Sequence, residues 1–153
     1  MKEIKGNLIE LAKIGQFDVI THGCNCFVKM GRGIAPQIKE SFPEAWEADK
    51  ATEKGDFRKL GNYSFGGYTC ENGQNLTVIN SYSQFSHDSS TKPLDYEALT
   101  LCMRKINFEF KGFSIGVPLI GAGLAGGNWN IIKEIIITEL KDMKITIVHY
   151  DGT

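Results

Sequence analysis

The chain has no excess of charge of either sign. Seventeen lysines and arginines stand against eighteen aspartates and glutamates, a formal net charge of −1 over 153 residues. Long nucleic acids are held by neutralising many phosphates, so this balance argues against one as a partner. Nor is there an apolar run near the ~20 residues that cross a bilayer, so no membrane association is expected. Met1-Lys2-Glu3-Ile4 leads straight into mixed charged sequence with no sign of a signal peptide, which predicts a cytoplasmic protein. The four cysteines, Cys24, Cys26, Cys70 and Cys102, lack the paired spacing of a zinc site and are expected to be reduced. No acidic cluster suggests a metal, and no cofactor is expected. The length fits one domain over residues 1–153, expected to be a monomer.

Glycine is what the chain has in quantity, seventeen residues in all, and two glycine loops organise the sequence. The first runs from His22 to Ala35, between an apolar stretch at Phe17–Thr21 and a helical pattern from about Gly33 to Ser41. The second, Gly121 to Gly127, lies between the apolar run Ser114–Ile120, which Pro118 is expected to end, and a helix predicted over Trp129–Leu140. Around them the pattern predicts a short strand ending at Gly6 and a weak helical turn or loop over Leu8–Ile14. A helix follows Pro43, and Glu71-Asn72-Gly73 joins two strands as a hairpin. Ser81–Pro93 reads as a polar loop of thirteen residues, Asp95 caps a helix to about Phe108, and Lys144–His149 is a closing strand. This alternation is a three-layer α/β/α domain; pattern alone leaves the strand order open.

A loop leading from a strand to a helix turns backbone N–H groups toward its occupant, and glycine lets a ligand approach the backbone closely. Two such loops at strand ends suit a pyrophosphate, although single glycine loops often do no more than make a tight turn. Neither is a Walker loop, since no Gly-Lys-Ser/Thr follows. Neither has the spacing or the downstream acid of a Rossmann fingerprint.

Three motifs together resemble a macro domain, and the resemblance runs end to end. They are Lys5-Gly6-Asn7-Leu8, His22-Gly23-Cys24-Asn25-Cys26 with Met30-Gly31-Arg32-Gly33-Ile34-Ala35, and Pro118-Leu119-Ile120-Gly121-Ala122-Gly123-Leu124. The first loop is similar to the branch holding the yeast-type ADP-ribose 1″-phosphate phosphatases and the terminal ADP-ribose glycohydrolases. The resemblance implies a mixed central sheet and a cleft for ADP-ribose or ADP-ribose 1″-phosphate. Adenine would lie at Asn7 and Leu8. The diphosphate would lie between Met30, Gly31, Arg32, Gly33 and Ile34 on one side and Pro118, Ile120, Gly121, Ala122, Gly123, Leu124 and Ala125 on the other. The distal ribose would face Asn25, with Ser81 and Tyr82 nearby. Relatives that attack with lysine carry it where this chain has Ser81, and their partner aspartate where it has Ala125, so that mechanism lacks both parts.

The activity implied is hydrolysis of ADP-ribose 1″-phosphate to ADP-ribose and phosphate, without a metal. His22 is the candidate acid/base and Asn25 the orienting amide. His22 is equally readable as a strand-end histidine bonded to a neighbour, and Asn25 as a turn residue. His87 and Asp88 read first as a solvated loop pair, and Lys29 and Arg32 as cations able to meet a terminal phosphate. The alternatives are an ADP-ribosyl hydrolase, an O-acyl-ADP-ribose deacylase and a reader that binds ADP-ribose without turning it over.

Overall fold

Side chains that cap their own helices set most of the element boundaries. In the computed structural model, which describes residues 1–153, Asn7 accepts from the N–H groups of Ile9 and Glu10 and starts α1 (Leu8–Lys13) directly after β1 (Lys2–Gly6). Asp95 does the same for α4 (Tyr96–Glu109), and Asn128 for α5 (Trp129–Glu139). Pro36 sits in the first turn of α2 (Ala35–Ser41), and Pro43 opens α3 (Pro43–Lys50). The remaining strands are β2 (Val19–Cys24), β3 (Tyr63–Thr69), β4 (Asn75–Tyr82), β5 (Ser114–Val117) and β6 (Lys144–Tyr150).

The six strands form one mixed sheet in the order β1-β6-β5-β2-β4-β3, antiparallel only at the β3–β4 hairpin. Strand residues alternate between two cores, as a pleated sheet covered on both faces requires. Val19, Ile79, Ile115 and Ile147 pack against α4 and α5, whereas Ile20, Val78 and Val148 pack against α1, α2 and α3. Helix α3 lies directly on β3 because Gly66 has no side chain. A Cβ there would come within 2.4 Å of the Ala45 nitrogen. The fold is therefore the expected three-layer α/β/α sandwich. The polar loop is shorter than predicted, since β4 takes in Ser81 and Tyr82 and a 3-10 turn occupies Ser89–Thr91.

Candidate functional site

β2 and β5 are paired only low in the sheet, at Val19–Ile115 and Ile20–Gly116. Beyond that point β2 continues to Cys24 while β5 stops at Val117. Their carboxyl ends thus open a crevice, the place where open α/β sheets hold ligands. Loop 1 (residues 25–34) enters it from β2 and loop 2 (residues 118–128) from β5. A third segment, residues 83–94, closes the side, folded back on itself by a bridge between Gln84 and Leu94. The cleft between them has a volume of about 560 Å³, in the range of small-molecule sites.

Loop 1 is held by its own side chains and by the segments around it. The Asn25 carboxamide accepts from the Phe27 N–H (2.9 Å) and donates to the Lys29 carbonyl (2.8 Å). Val28 is pinned at φ 58°, a strained conformation for a β-branched residue. The Cys26 carbonyl accepts from the Gly55 N–H (2.7 Å) and from the buried Lys59 ammonium (3.1 Å), and the Cys26 N–H donates to Phe85. Across the mouth, the Arg32 guanidinium donates to the Ser89 hydroxyl at 2.7 Å. In loop 2 the Gly127 N–H closes onto the Gly121 carbonyl (2.8 Å) and the Gly126 N–H onto Gly123 (3.0 Å).

What these contacts leave over matters most. The backbone N–H groups of Gly31, Arg32, Gly33 and Ile34 donate to no acceptor in the protein, and neither do those of Gly121, Gly123, Leu124 and Ala125. All eight belong to residues that line the cavity. Two facing sets of free donors are a seat for an anion, and they add nothing to the formal charge of the chain.

Most of the residues expected at the site meet here. Asn25, Met30, Gly31, Arg32, Gly33, Ile34, Pro118, Ile120, Gly121, Gly123, Leu124 and Ala125 line the cavity. His22 does not, and this corrects its expected role. It is 0 % exposed, and its Nε2 lies 2.8 Å from the Asn80 carboxamide oxygen. The Asn80 NH₂ donates to the Ala45 carbonyl and the Ser64 hydroxyl, which fixes its oxygen toward His22, so Nε2 carries the proton. The chain of bonds continues from Ser64 to the Tyr82 hydroxyl and from Tyr82 to the Asp49 carboxylate, both at 2.7 Å. Burial pushes the His22 pKa down to about 4, keeping the ring neutral and away from any ligand.

Tyr82 belongs to that buried network, and Ser81 is buried against Thr21 at 2.7 Å, so neither reaches the cavity. Ala122, Asn7 and Leu8 also lie outside its lining. Leu8 is in the core, while Asn7 stands at the carboxyl end of β1, the edge strand, separated from β5 by β6. His87, expected first as half of a solvated loop pair with Asp88, lines the cavity together with Gln84 and Ser89, which the sequence did not single out, and its ring stands edge-on to Phe27 at 5.7 Å. His87 is the only histidine at the cavity wall. The thiols are inert by position, with Cys26 pushed up to about 11 and Cys102 to about 12 by burial.

A three-layer sandwich with two glycine loops bounding a cleft at the carboxyl ends of its strands defines a class of α/β protein with its site at the sheet's carboxyl end. The chain belongs to the macro domain family, whose model matches residues 21–136. It is 39% identical to a 17.5 kDa protein of the tk-vs intergenic region of Enterobacteria phage T4, over 99% of this chain and 97% of that one. A solved structure of a protein of unknown function from Bacteroides thetaiotaomicron superposes with a TM-score of 0.77 at 29% identity, covering 97% of this chain and 96% of the other. A third relative is the DNA ADP-ribosyl transferase-DNA ADP-ribosyl glycohydrolase fusion protein of Thermosipho africanus, 25% identical over 88% of this chain but only 38% of that longer protein. The T. africanus DarTG structure in complex with ADP-ribose matches at a TM-score of 0.71 and 17% identity, covering 98% of this chain and 41% of that one.

Proposed function

We propose that the cleft binds ADP-ribose and that the protein is an ADP-ribose 1″-phosphate phosphatase of the yeast-type branch, with residues 1–153 acting as one macro domain. The observation that carries the reading is the pair of facing loops with eight unpaired backbone N–H groups, a seat for the diphosphate. The T. africanus DarTG structure, part of which shares this fold, is in complex with ADP-ribose, which supports the choice of ligand. In this reading the distal ribose lies toward Asn25, where Lys29 and Arg32 also line the cleft and can meet a phosphate on the 1″ oxygen, and adenine lies toward Asn7, outside the lining.

With His22 buried, acid/base work falls to His87. In the proposed step, water attacks the phosphorus of the 1″-phosphate and the bond from phosphorus to the 1″ oxygen breaks. His87 supplies the proton that the departing oxygen takes up, and the products are ADP-ribose and inorganic phosphate. The free N–H groups stabilise charge on the phosphoryl oxygens as it redistributes. The second reading, hydrolytic removal of ADP-ribose from a macromolecule, is favoured by the glycohydrolase activity in the name of the T. africanus relative.

Calorimetry with ADP-ribose, followed by phosphate release from ADP-ribose 1″-phosphate by wild type and His87→Ala, tests the proposal. Binding with release that falls at least about 100-fold in the variant supports it, that being the usual worth of a general acid. Binding without release removes the phosphatase and leaves the second reading or a reader, which an ADP-ribosylated strand separates.

A further inference from the structure

We infer that the stacked pair Phe57 and Phe85, beside the distal end of the cleft, seats a nucleobase carried beyond the 1″ end of ADP-ribose. The substrate class is then ADP-ribose joined through that end to a nucleotide of an unpaired strand. The inference rests on the ADP-ribose reading of the cleft and is independent of whether a free 1″-phosphate is turned over.

Phe57 is 68% exposed, an unusual position for so large an apolar ring. It is also ordered by its neighbours. The ring lies parallel to Phe85, with centroids 3.7 Å apart and 1° between planes, and Phe27 meets Phe85 edge-on at 4.9 Å. Phe57 sits on a 3-10 turn (Phe57–Lys59) whose cap Asp56 accepts from the Arg58 N–H at 2.8 Å. The turn is tied to loop 1 through Gly55 and Lys59, both bonded to the Cys26 carbonyl. The inner end of the cluster reaches the site itself, because the Phe27 N–H donates to Asn25 and the Phe27 ring touches His87.

A parallel stack with one face covered and one face open is completed by a third flat ring. Nucleobases offer that shape, and stacking on exposed aromatics is how unpaired strands are held without sequence reading. The surrounding charges fit a short stretch of backbone. Lys54 and Arg58 flank Phe57 along the chain against Glu53 and Asp56, and Asp56 is already neutralised by Arg58 at 2.8 Å. The near-zero net charge of the whole chain limits the contact to one or two nucleotides rather than a long tract.

The test compares wild type with Phe57→Ala and Phe57→Trp on ADP-ribose, on a short single-stranded oligonucleotide carrying ADP-ribose, and on a peptide carrying ADP-ribose. Apparent affinity is read, or KM where the probe is hydrolysed, with Tm as the check on folding. The wild type is expected to prefer the modified strand over ADP-ribose by about 5- to 150-fold, the worth of one stacked base. Phe57→Ala should lose that preference while keeping its affinity for ADP-ribose, and Phe57→Trp should retain it. If ADP-ribose binds but Phe57→Ala treats the strand as wild type does, or if the peptide alone is preferred, the inference is overturned and the cleft reading survives. If ADP-ribose does not bind at all, both fall.

Discussion

Acidification from about pH 7 to about pH 4 is expected to remove roughly 3 kcal/mol of stability through His22 alone. Burial lowers its pKa in the folded protein from 6.5 to about 4, while the bond to Asn80 acts the other way. Between those two values the unfolded chain binds a proton that the folded protein refuses. Stability from this group is therefore fully present above the unfolded value, falls as pH drops, and is gone below the folded one. The slope is about 1.4 kcal/mol per pH unit over a window of about 2.5 units. Urea unfolding of wild type and His22→Gln at several pH values isolates the effect. Glutamine can donate to Asn80 but does not titrate, and the carboxylates, Asp49 at the far end of the bonded chain included, titrate in both proteins. The gap between the two stability curves should change with acid by that amount, and the His22 ring signals in NMR should titrate near the low value. Parallel curves, or a midpoint near 6.5, would refute the reasoning and return His22 to the cleft as an acid/base.

Two substitutions separate the cleft from the scaffold. At Gly123 an added Cβ meets no protein atom within 4 Å, so Gly123→Val should leave Tm within about 2 °C. The same side chain enters the proposed diphosphate seat, and calorimetry should find ADP-ribose binding at least about tenfold weaker. Gly66→Ala does the reverse, driving a Cβ into the backbone of α3 at 2.4 Å. It should cost about 1–3 kcal/mol in denaturant unfolding with little change in affinity under native conditions.

Local chemistry made the order of elements legible. Asn7 and Asp95 cap helices, Pro43 opens one, and Gly15 and Gly55 hold positive φ where helical segments end, all signals confined to a few residues. Strand order was not legible, because pairing between β2 and β5 joins segments nearly a hundred residues apart and leaves no local mark. The misplacement of His22 was avoidable. Ile20 faces the α1–α3 core, and a period of two carries His22 to that same side, away from the opposite face where Gly23 meets Ile120. His87 stands beside Asp88 in a polar loop, a pattern that reads first as solvated, and Ser89 carries no signal at all. They reach the cleft because the Gln84–Leu94 bridge and the Arg32–Ser89 bond fold their segment across it.

The partial pairing of β2 with β5 has a mechanical consequence. Both loops are mounted on adjoining members of one hydrogen-bonded frame, whose rungs are about 4.8 Å apart. The gauge of the phosphate seat is thereby set by the sheet, which residues far from the loops keep rigid. The segment carrying His87 and Ser89 runs from β4 to α4 and rests on both loops, through the bonds Cys26–Phe85, Arg32–Ser89 and Leu94–Ala125. Its outward-facing side chains can change without altering the spacing of the two strands that carry the loops. One frame can thus hold its two loops at a constant spacing while the side chains at the rim change.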